Sequence, residues 1–361
     1  MTVRLSLAMI VKDEERLLGR VLADASKVCE EMVVVDTGSS DRTREIAEQH
    51  GATVHDVAWR DDFAAARNAS FAWCNEEWIM WLDADDVLPP STLGAIETLK
   101  TWLDGRSDID AVLSPYHYQF GEDGAPLIWE SRERIMRRSA GFKWEGRIQE
   151  RIRLDGHQSA FVPDFVVEHR PEAARRSRQR ERNMGMLLTE IDGGHPSPAV
   201  RFRYANELYD QDRHEDARRA YRQYLDVDRN PGPDRYWAQV CLAEVSRAVG
   251  DGATTREVAL KAIGEDPSRA EAYVVLGLHY YDSEQWSKAA PLFIAATTTK
   301  QPTIGITRNP YYRYVPWDYL SVCLDRLERR QEALDAARRA LPNNPDPERV
   351  RKNMHWFVDN L

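Results

Sequence analysis

Cysteine is scarce in this 361-residue chain: Cys29, Cys74, Cys241 and Cys323 stand far apart with no C-x-x-C spacing. That excludes a zinc ribbon and offers no disulfide framework, so reduced, structural thiols are expected. No apolar run reaches the length of a membrane span. The N-terminal LSLAMIV is short and is followed at once by KDEE with no small-residue cleavage site, so it reads as a first strand in a cytoplasmic protein rather than a signal core. Positive charge is not in excess either. With 49 Lys and Arg against 59 Asp and Glu, the net charge of −10 argues against a surface built to hold nucleic acid. What is present is a globular balance, 42% hydrophobic and 30% charged, in a chain long enough for two domains that each bury a core.

Up to about residue 105, apolar runs alternate with amphipathic ones: LSLAMIV, EERLLGRVLADASKV, EMVVVD, DRTREIAEQHG, ATVHDV, DFAAARNASFAWC and WIMWLD. This is the pattern of βαβ units around a mostly parallel sheet. Two of the strands end in aspartate, Asp36 and Asp83, and ligand crevices in such sheets lie at the carboxyl ends of strands. From about 110 to 170 the pieces alternate in a strand-like way, AVLSPYHYQF, APLIWESRERIMRR, FKWEGRIQERIRL and SAFVPDFVVEH, with a GEDG turn at Gly121 to Gly124 joining the first two as a hairpin. An antiparallel arrangement is expected there. On a strand, Arg132, Arg134, Arg137 and Arg138 alternate in direction, so at least two of them are expected on a solvated face.

After Pro171 the sequence reads as helical, with three or four loosely similar units that share large–small apolar spacing, a central alanine and a closing proline. Helix pairs of this kind cannot bury their apolar faces alone and stack on their neighbours. Ile306 to Tyr319, ITRNPYYRYVPWDY, interrupts the units with clustered aromatics. It reads either as an acceptor-binding wall or as packing between units. PERVRKNMHWFVDNL would cap the stack.

The apolar WIMWL runs into Asp83, Asp85 and Asp86, residues that cores avoid. Two carboxylates spaced D-x-D can hold a hard divalent cation that bridges a nucleoside diphosphate; the bland alternative is a solvated turn before Pro89-Pro90. Four segments add specificity: MIVKDEE (Met9 to Glu15), VVVDTGSSDRT (Val33 to Thr43), DDFAAARN (Asp61 to Asn68) and WLDADD (Trp81 to Asp86). In this order they resemble family 2 glycosyltransferases. Followed by tetratricopeptide-like repeats, the chain is similar to a bacterial subgroup that includes peptide S-glycosyltransferases.

The resemblance implies a GT-A type α/β fold, a mixed sheet with a Rossmann-like nucleotide-binding half, over residues 1–170, a linking helix over 171–198, and all-α tetratricopeptide-like repeats with a capping helix over 199–361. It implies donor-binding roles for Val11, Lys12, Glu14, Asp36, Gly38, Ser39, Arg67, Asp83, Ala84 and Asp85, and a Mg²⁺ or Mn²⁺ ion held by Asp85 with Asp83 and His169 nearby. Asp86 would stand behind these ligands. The element GRIQE resembles the subgroup's G-x-x-H-E and places Glu150 as the general base, with Gln149 in place of the histidine; Glu145 also qualifies as the base.

The reaction implied is metal-dependent, inverting transfer from a nucleotide sugar, a UDP-sugar in the first instance, to a peptide, a protein or another acceptor. No nucleic-acid partner and no membrane span are expected, and a homodimer through the repeats is one reading of the helical half. Rival readings are a catalytically inactive repeat-based scaffold and transfer to saccharide, lipid or modified nucleic acid. A sugar-nucleotide pyrophosphorylase would need a G-x-G-x-R loop after the first strand, where MIVKDEE stands instead.

Overall fold

The first strand, β1 (Leu5–Val11), is buried at every residue but Ile10. Apolar residues dominate both its faces because parallel neighbours lie on both sides, β2 (Glu31–Asp36) and β4 (Trp78–Trp81), in a sheet covered on both faces. Helix α1 (Leu18–Ala25) buries Leu18, Val21, Leu22 and Ala25, the one-sided stripe of a 3.6-residue period. Helix α2 (Thr43–Gln49) leads to β3 (Thr53–Asp56), parallel to β2. Helix α3 (Phe63–Ala72) starts at Asp62, whose Oδ1 accepts from Ala65 N at 2.8 Å, a side-chain N-cap. After β4 come the two-residue β5 (Asp86–Val87) and α4 (Pro90–Leu103), which opens on proline.

The computed structural model describes residues 3–148, 150–194 and 196–360, with the side chains of all of these except 173–179. The chain divides into two units, the first running to Gln119 and resuming over Glu130–Leu187, the second holding Phe120–Trp129 and the chain from Leu188 onward. Strands β6 (Ala111–Phe120) and β7 (Pro126–Arg137) are joined by the GEDG turn, in which Gly121 N donates to Ala125 O at 2.9 Å. Short strands follow: β8 (Trp144–Glu145) and β9 (Arg151–Ile152), which pair with each other in a two-stranded sheet, then β10 (Ser159–Phe161) and β11 (Val167–His169). The main sheet runs β3-β2-β1-β4-β7-β6-β11-β5.

The sheet is mixed, as the sequence suggests, but its second half is not purely antiparallel. β7 runs antiparallel to β4 and β11 antiparallel to β5, whereas β10 and β11 run parallel to β6. A parallel pairing needs a crossover, and the stretch from β7 through β9 supplies it. Helix α5 (Ala173–Asp192) follows, so the expected linking segment, 171–198, falls on α5 and the approach to the next helix.

In the second unit the helices form pairs: α6 (Pro198–Asp210) with α7 (His214–Val227), α8 (Pro233–Ala248) with α9 (Gly252–Glu265), α10 (Ala270–Asp282) with α11 (Trp286–Thr298), and α12 (Val315–Arg326) with α13 (Arg330–Ala340), closed by α14 (Pro347–Asp359). The turn inside each pair carries a residue in the left-handed region, Asp212, Gly250, Glu284 and Glu328 in order, the usual way for a helix to end before a sharp reversal. The large–small rule is visible where Gly277 faces Phe293: a Cβ there would lie 2.7 Å from the ring.

The aromatic interruption between the third and fourth pairs, which includes β12 (Ile306–Arg308), is tied to neighbouring helices. Tyr311 Oη donates to Glu244 at 3.0 Å, Tyr312 Oη to Glu271 at 2.6 Å, and Tyr319 stacks on Phe293. Glu271 is fully buried and also takes Arg269 Nη2 at 2.9 Å. Because Glu271→Gln keeps the shape but removes the charge that two elements lean on, it should lower unfolding stability by about 2 kcal/mol, the scale of a hydrogen bond to a charged group. Urea unfolding of the full chain measures this, and an unchanged midpoint would show the cluster to be energetically idle.

The four cysteines are buried and free. Burial raises every thiol, Cys74 and Cys323 to about 12, which leaves them inert rather than nucleophilic. No helix among the described residues is long and apolar enough to cross a membrane.

Candidate active site

A cavity of about 460 Å³ opens at the carboxyl end of β1, with Ile10, Val11 and Lys12 at the strand's end and Glu14 and Thr37 beside them. The two loops that follow β1 and β2 are clasped together. Asp13 N donates to Ser39 Oγ at 3.0 Å, Ser40 N to Asp13 Oδ1 at 2.7 Å, and Glu14 N to Thr43 Oγ1 at 2.6 Å. Asp36 Oδ1 accepts from Gly38 N at 3.0 Å and Ser39 N at 2.8 Å, and Gly38 has φ +104°, a conformation costly for any side chain. Of the residues expected at the donor, Val11, Lys12 and Glu14 therefore line the cavity. Asp36, Gly38 and Ser39 build the loop at its edge and are not among its walls.

The three acids after β4 are separated by a turn. Asp86 N donates to Asp83 O and Asp83 N to Asp86 Oδ2, both at 3.0 Å, so Asp86 folds under the loop while Asp83, Ala84 and Asp85 face the cavity. The antiparallel register of β5 with β11 then sets His169 directly opposite Asp86. His169 Nδ1 lies 3.3 Å from Asp85 Oδ1 and 3.9 Å from Asp86 Oδ1. Among the described residues, Asp85, Asp86 and His169 form a set whose ligand atoms converge closely enough for one metal ion. Asp83, expected beside the ion, engages Arg67 Nη2 through Oδ1 at 2.8 Å, and Asp86, expected behind the ligands, brings Oδ1 to 3.9 Å from His169 Nδ1.

Charges in this turn are strongly biased. Burial pushes the Asp86 carboxyl up, against the pull of the Arg134 guanidinium. Asp83 is held below its usual range despite burial, because Arg67 and Arg134 are close. Burial would lower His169, but the Asp85 carboxylate 3.3 Å from Nδ1 and the charge of Asp86 raise it. Arg134 is fully buried and donates to Asp86 Oδ2 at 3.0 Å. Of the four arginines on or just after β7, only Arg138 is exposed. The expectation of at least two on a solvated face fails because aromatic rings cover them: Arg134 lies against Trp81 and Tyr116, Arg132 against Trp81 and Arg137 against Trp78.

Arg67, on α3, reaches between two carboxylates: Nε bonds Glu150 Oε1 at 2.5 Å, and Nη2 bonds Asp83. Its guanidinium lies 4.6 Å from the Trp81 ring centroid and 4.9 Å from that of Trp144. Burial alone would lower its pKa, yet Asp83 and Glu150 drive it above the ordinary value. The loop before Glu150 is anchored by Phe63 N donating to Arg147 O at 2.9 Å, which places Glu150, only 7% exposed, on the cavity wall. Glu145 lies elsewhere: it is exposed, pairs with Arg153 at 2.7 Å and does not line the cavity. Gln149 lies outside the described residues.

Sequence reasoning left Trp59, Phe63, Arg182 and Asn183 unassigned on the same wall. Phe63 sits inside DDFAAARN, so the sequence does carry a signal for it. Arg182 and Asn183 come from a helix with no local signal that it borders the cavity.

Residues 6–160 match the model described as glycosyl transferase family 2. A TPR repeat-containing protein of Synechococcus elongatus is 43% identical over 107 residues, covering 30% of this chain and 24% of that protein. The SPbeta prophage-derived glycosyltransferase SunS of Bacillus subtilis is 24% identical over 225 residues, covering 60% of this chain and 52% of SunS. An uncharacterized glycosyltransferase of Rickettsia felis is 31% identical over 94 residues, 26% of this chain and 33% of that protein. The match thus spans about half the length of SunS and less of the other two.

Proposed function

We propose that this chain, a glycosyl transferase family 2 domain joined to tetratricopeptide-like helical repeats, transfers a sugar from a nucleoside-diphosphate sugar, a UDP-sugar first of all, to a hydroxyl or thiol of a peptide or protein, with inversion at the anomeric carbon. The observation that carries it is the convergence of Asp83, Asp85, Glu150, His169 and Arg67 on one cavity at the end of β1, inside or next to the region that matches the family. A scaffold without catalysis has no use for that many charged groups in one cavity, since each is costly to desolvate.

The residues fit a divalent cation. Asp86 Oδ1 and His169 Nδ1 are buried and make no hydrogen bond, although both face Asp85, and polar atoms in that position want a partner. Two carboxylates and an imidazole suit Mg²⁺ or Mn²⁺. Asp85, Asp86 and His169 would hold the ion, and its positive charge would offset the charge that gathers on the departing diphosphate.

The chain's own groups do the rest. Arg67 engages Glu150 through Oε1, so Oε2 is the oxygen offered to the acceptor. As the acceptor oxygen or sulfur bonds to the anomeric carbon and the bond from that carbon to the diphosphate breaks, the acceptor's proton passes to Glu150 Oε2. The helical repeats are proposed to recruit the acceptor, because stacked helix pairs present extended concave surfaces.

A thermal-shift series with UDP and other nucleoside diphosphates, each in Mn²⁺, Mg²⁺ and EDTA, tests the reading. A ligand at 100 times its Kd should add about 2.7 kcal/mol of stability, and the shift should shrink in EDTA. No shift with any nucleotide in any cation would remove the donor reading.

A further inference from the structure

We propose that Trp81 is a positioning residue: its indole holds three arginine side chains, and through them the carboxylates that serve the cation and the acceptor proton. This rests on the reading of the site given above. The Arg134, Arg67 and Arg132 guanidinium carbons lie 3.8, 4.6 and 5.4 Å from the ring centroid. Each of these arginines carries acids. Arg134 donates to Asp86, Arg67 to Asp83 and Glu150, and Arg132 to Glu130 at 3.0 Å.

Hydrogen bonds alone do not account for where these groups stand. Arg134 Nε and Nη2 and Arg132 Nε are buried and make none. A buried cation short of hydrogen bonds is costly, and the negative face of an indole is the strongest aromatic substitute. The ring is itself immobilised: Trp81 is 2% exposed, Nε1 donates to the Glu133 carbonyl, and Trp144 packs edge-on at 4.9 Å. An aliphatic residue would satisfy a buried strand position equally well. What it lacks is a face that can hold several guanidinium groups, and the acids they carry include both Asp86, among the proposed cation ligands, and Glu150, the proposed base.

The test compares Trp81→Phe with Trp81→Met in the full chain. Both shorten the side chain and leave apolar bulk, but only phenylalanine keeps a ring face. Mn²⁺ affinity is read from the electron paramagnetic resonance signal of the free ion, with thermal melting recorded alongside. The methionine variant should bind Mn²⁺ roughly 10- to 100-fold more weakly than wild type, the range for losing a group that orients a ligand, while the phenylalanine variant recovers most of the affinity. Equal Mn²⁺ affinity in the two variants would overturn the inference. Should Trp81→Met not fold, Arg134→Met removes the guanidinium that carries Asp86 and leaves the ring; undiminished Mn²⁺ binding there overturns it as well. A wild-type chain that binds no Mn²⁺ overturns the cation reading itself, and this inference with it.

Discussion

Glu150→Gln is expected to slow sugar transfer by roughly 10²- to 10⁴-fold, the range for a positioned general base, while nucleotide affinity stays within a few-fold. The amide keeps the size of the carboxylate and can still lie against Arg67, so the cavity wall should survive. What disappears is the oxygen that takes the acceptor's proton. Kinetically this is a loss of kcat and kcat/KM together, the sign of an interaction made in the transition state. A thiol acceptor, already partly ionised near neutral pH, should suffer less than a hydroxyl. Glu145→Gln is the matched control: that side chain is exposed and paired with Arg153, so transfer should be unchanged. A Glu150→Gln chain that transfers sugar at the wild-type rate would remove Glu150 from the mechanism, and a product of retained configuration would remove the inverting mechanism altogether.

Asp85→Asn should weaken Mn²⁺ binding by more than the roughly 10- to 100-fold expected when a group that merely orients a ligand is lost, since an amide oxygen replaces a charged ligand. Nucleotide binding should then become nearly the same in Mn²⁺ and in EDTA. Asp85 Oδ1 is the carboxylate oxygen nearest His169 Nδ1, so the substitution also removes the group through which His169 is tied to the site. Calorimetric titration of Mn²⁺ into the full chain, with and without UDP, measures the effect. If Asp85→Asn binds Mn²⁺ like wild type while Asp86→Asn does not, the ion is centred on Asp86, and Asp85 serves the donor instead.

Much of the first unit was legible because its signals are local. β1, β2 and β4 announce themselves as apolar runs ending in polar residues, α1 by its apolar stripe, and the β6–β7 hairpin by the GEDG turn. The helix pairs of the second unit were legible for the same reason, as repeating apolar spacing closed by proline. Such patterns depend on periods of two and 3.6 residues and on turn chemistry, which neighbours along the chain determine among themselves.

The partnerships inside the cavity were not legible in that way. The sequence by itself determined that acids follow a buried strand, that an arginine precedes it and that another acid lies further along. Only the tertiary structure decided that Asp86 comes up beside Asp85 and His169, because that follows from the register of β5 on β11, strands brought together across the whole β6–β7 hairpin. It likewise decided that Arg134 is interior, since its cover comes from Trp81 on β4 and Tyr116 on β6. Glu150 and Glu145 look equivalent in WEGRIQE. One became a buried partner of Arg67 and the other a surface residue when the loop before Glu150 was tied to the start of α3, a contact between segments more than eighty residues apart that no local period encodes.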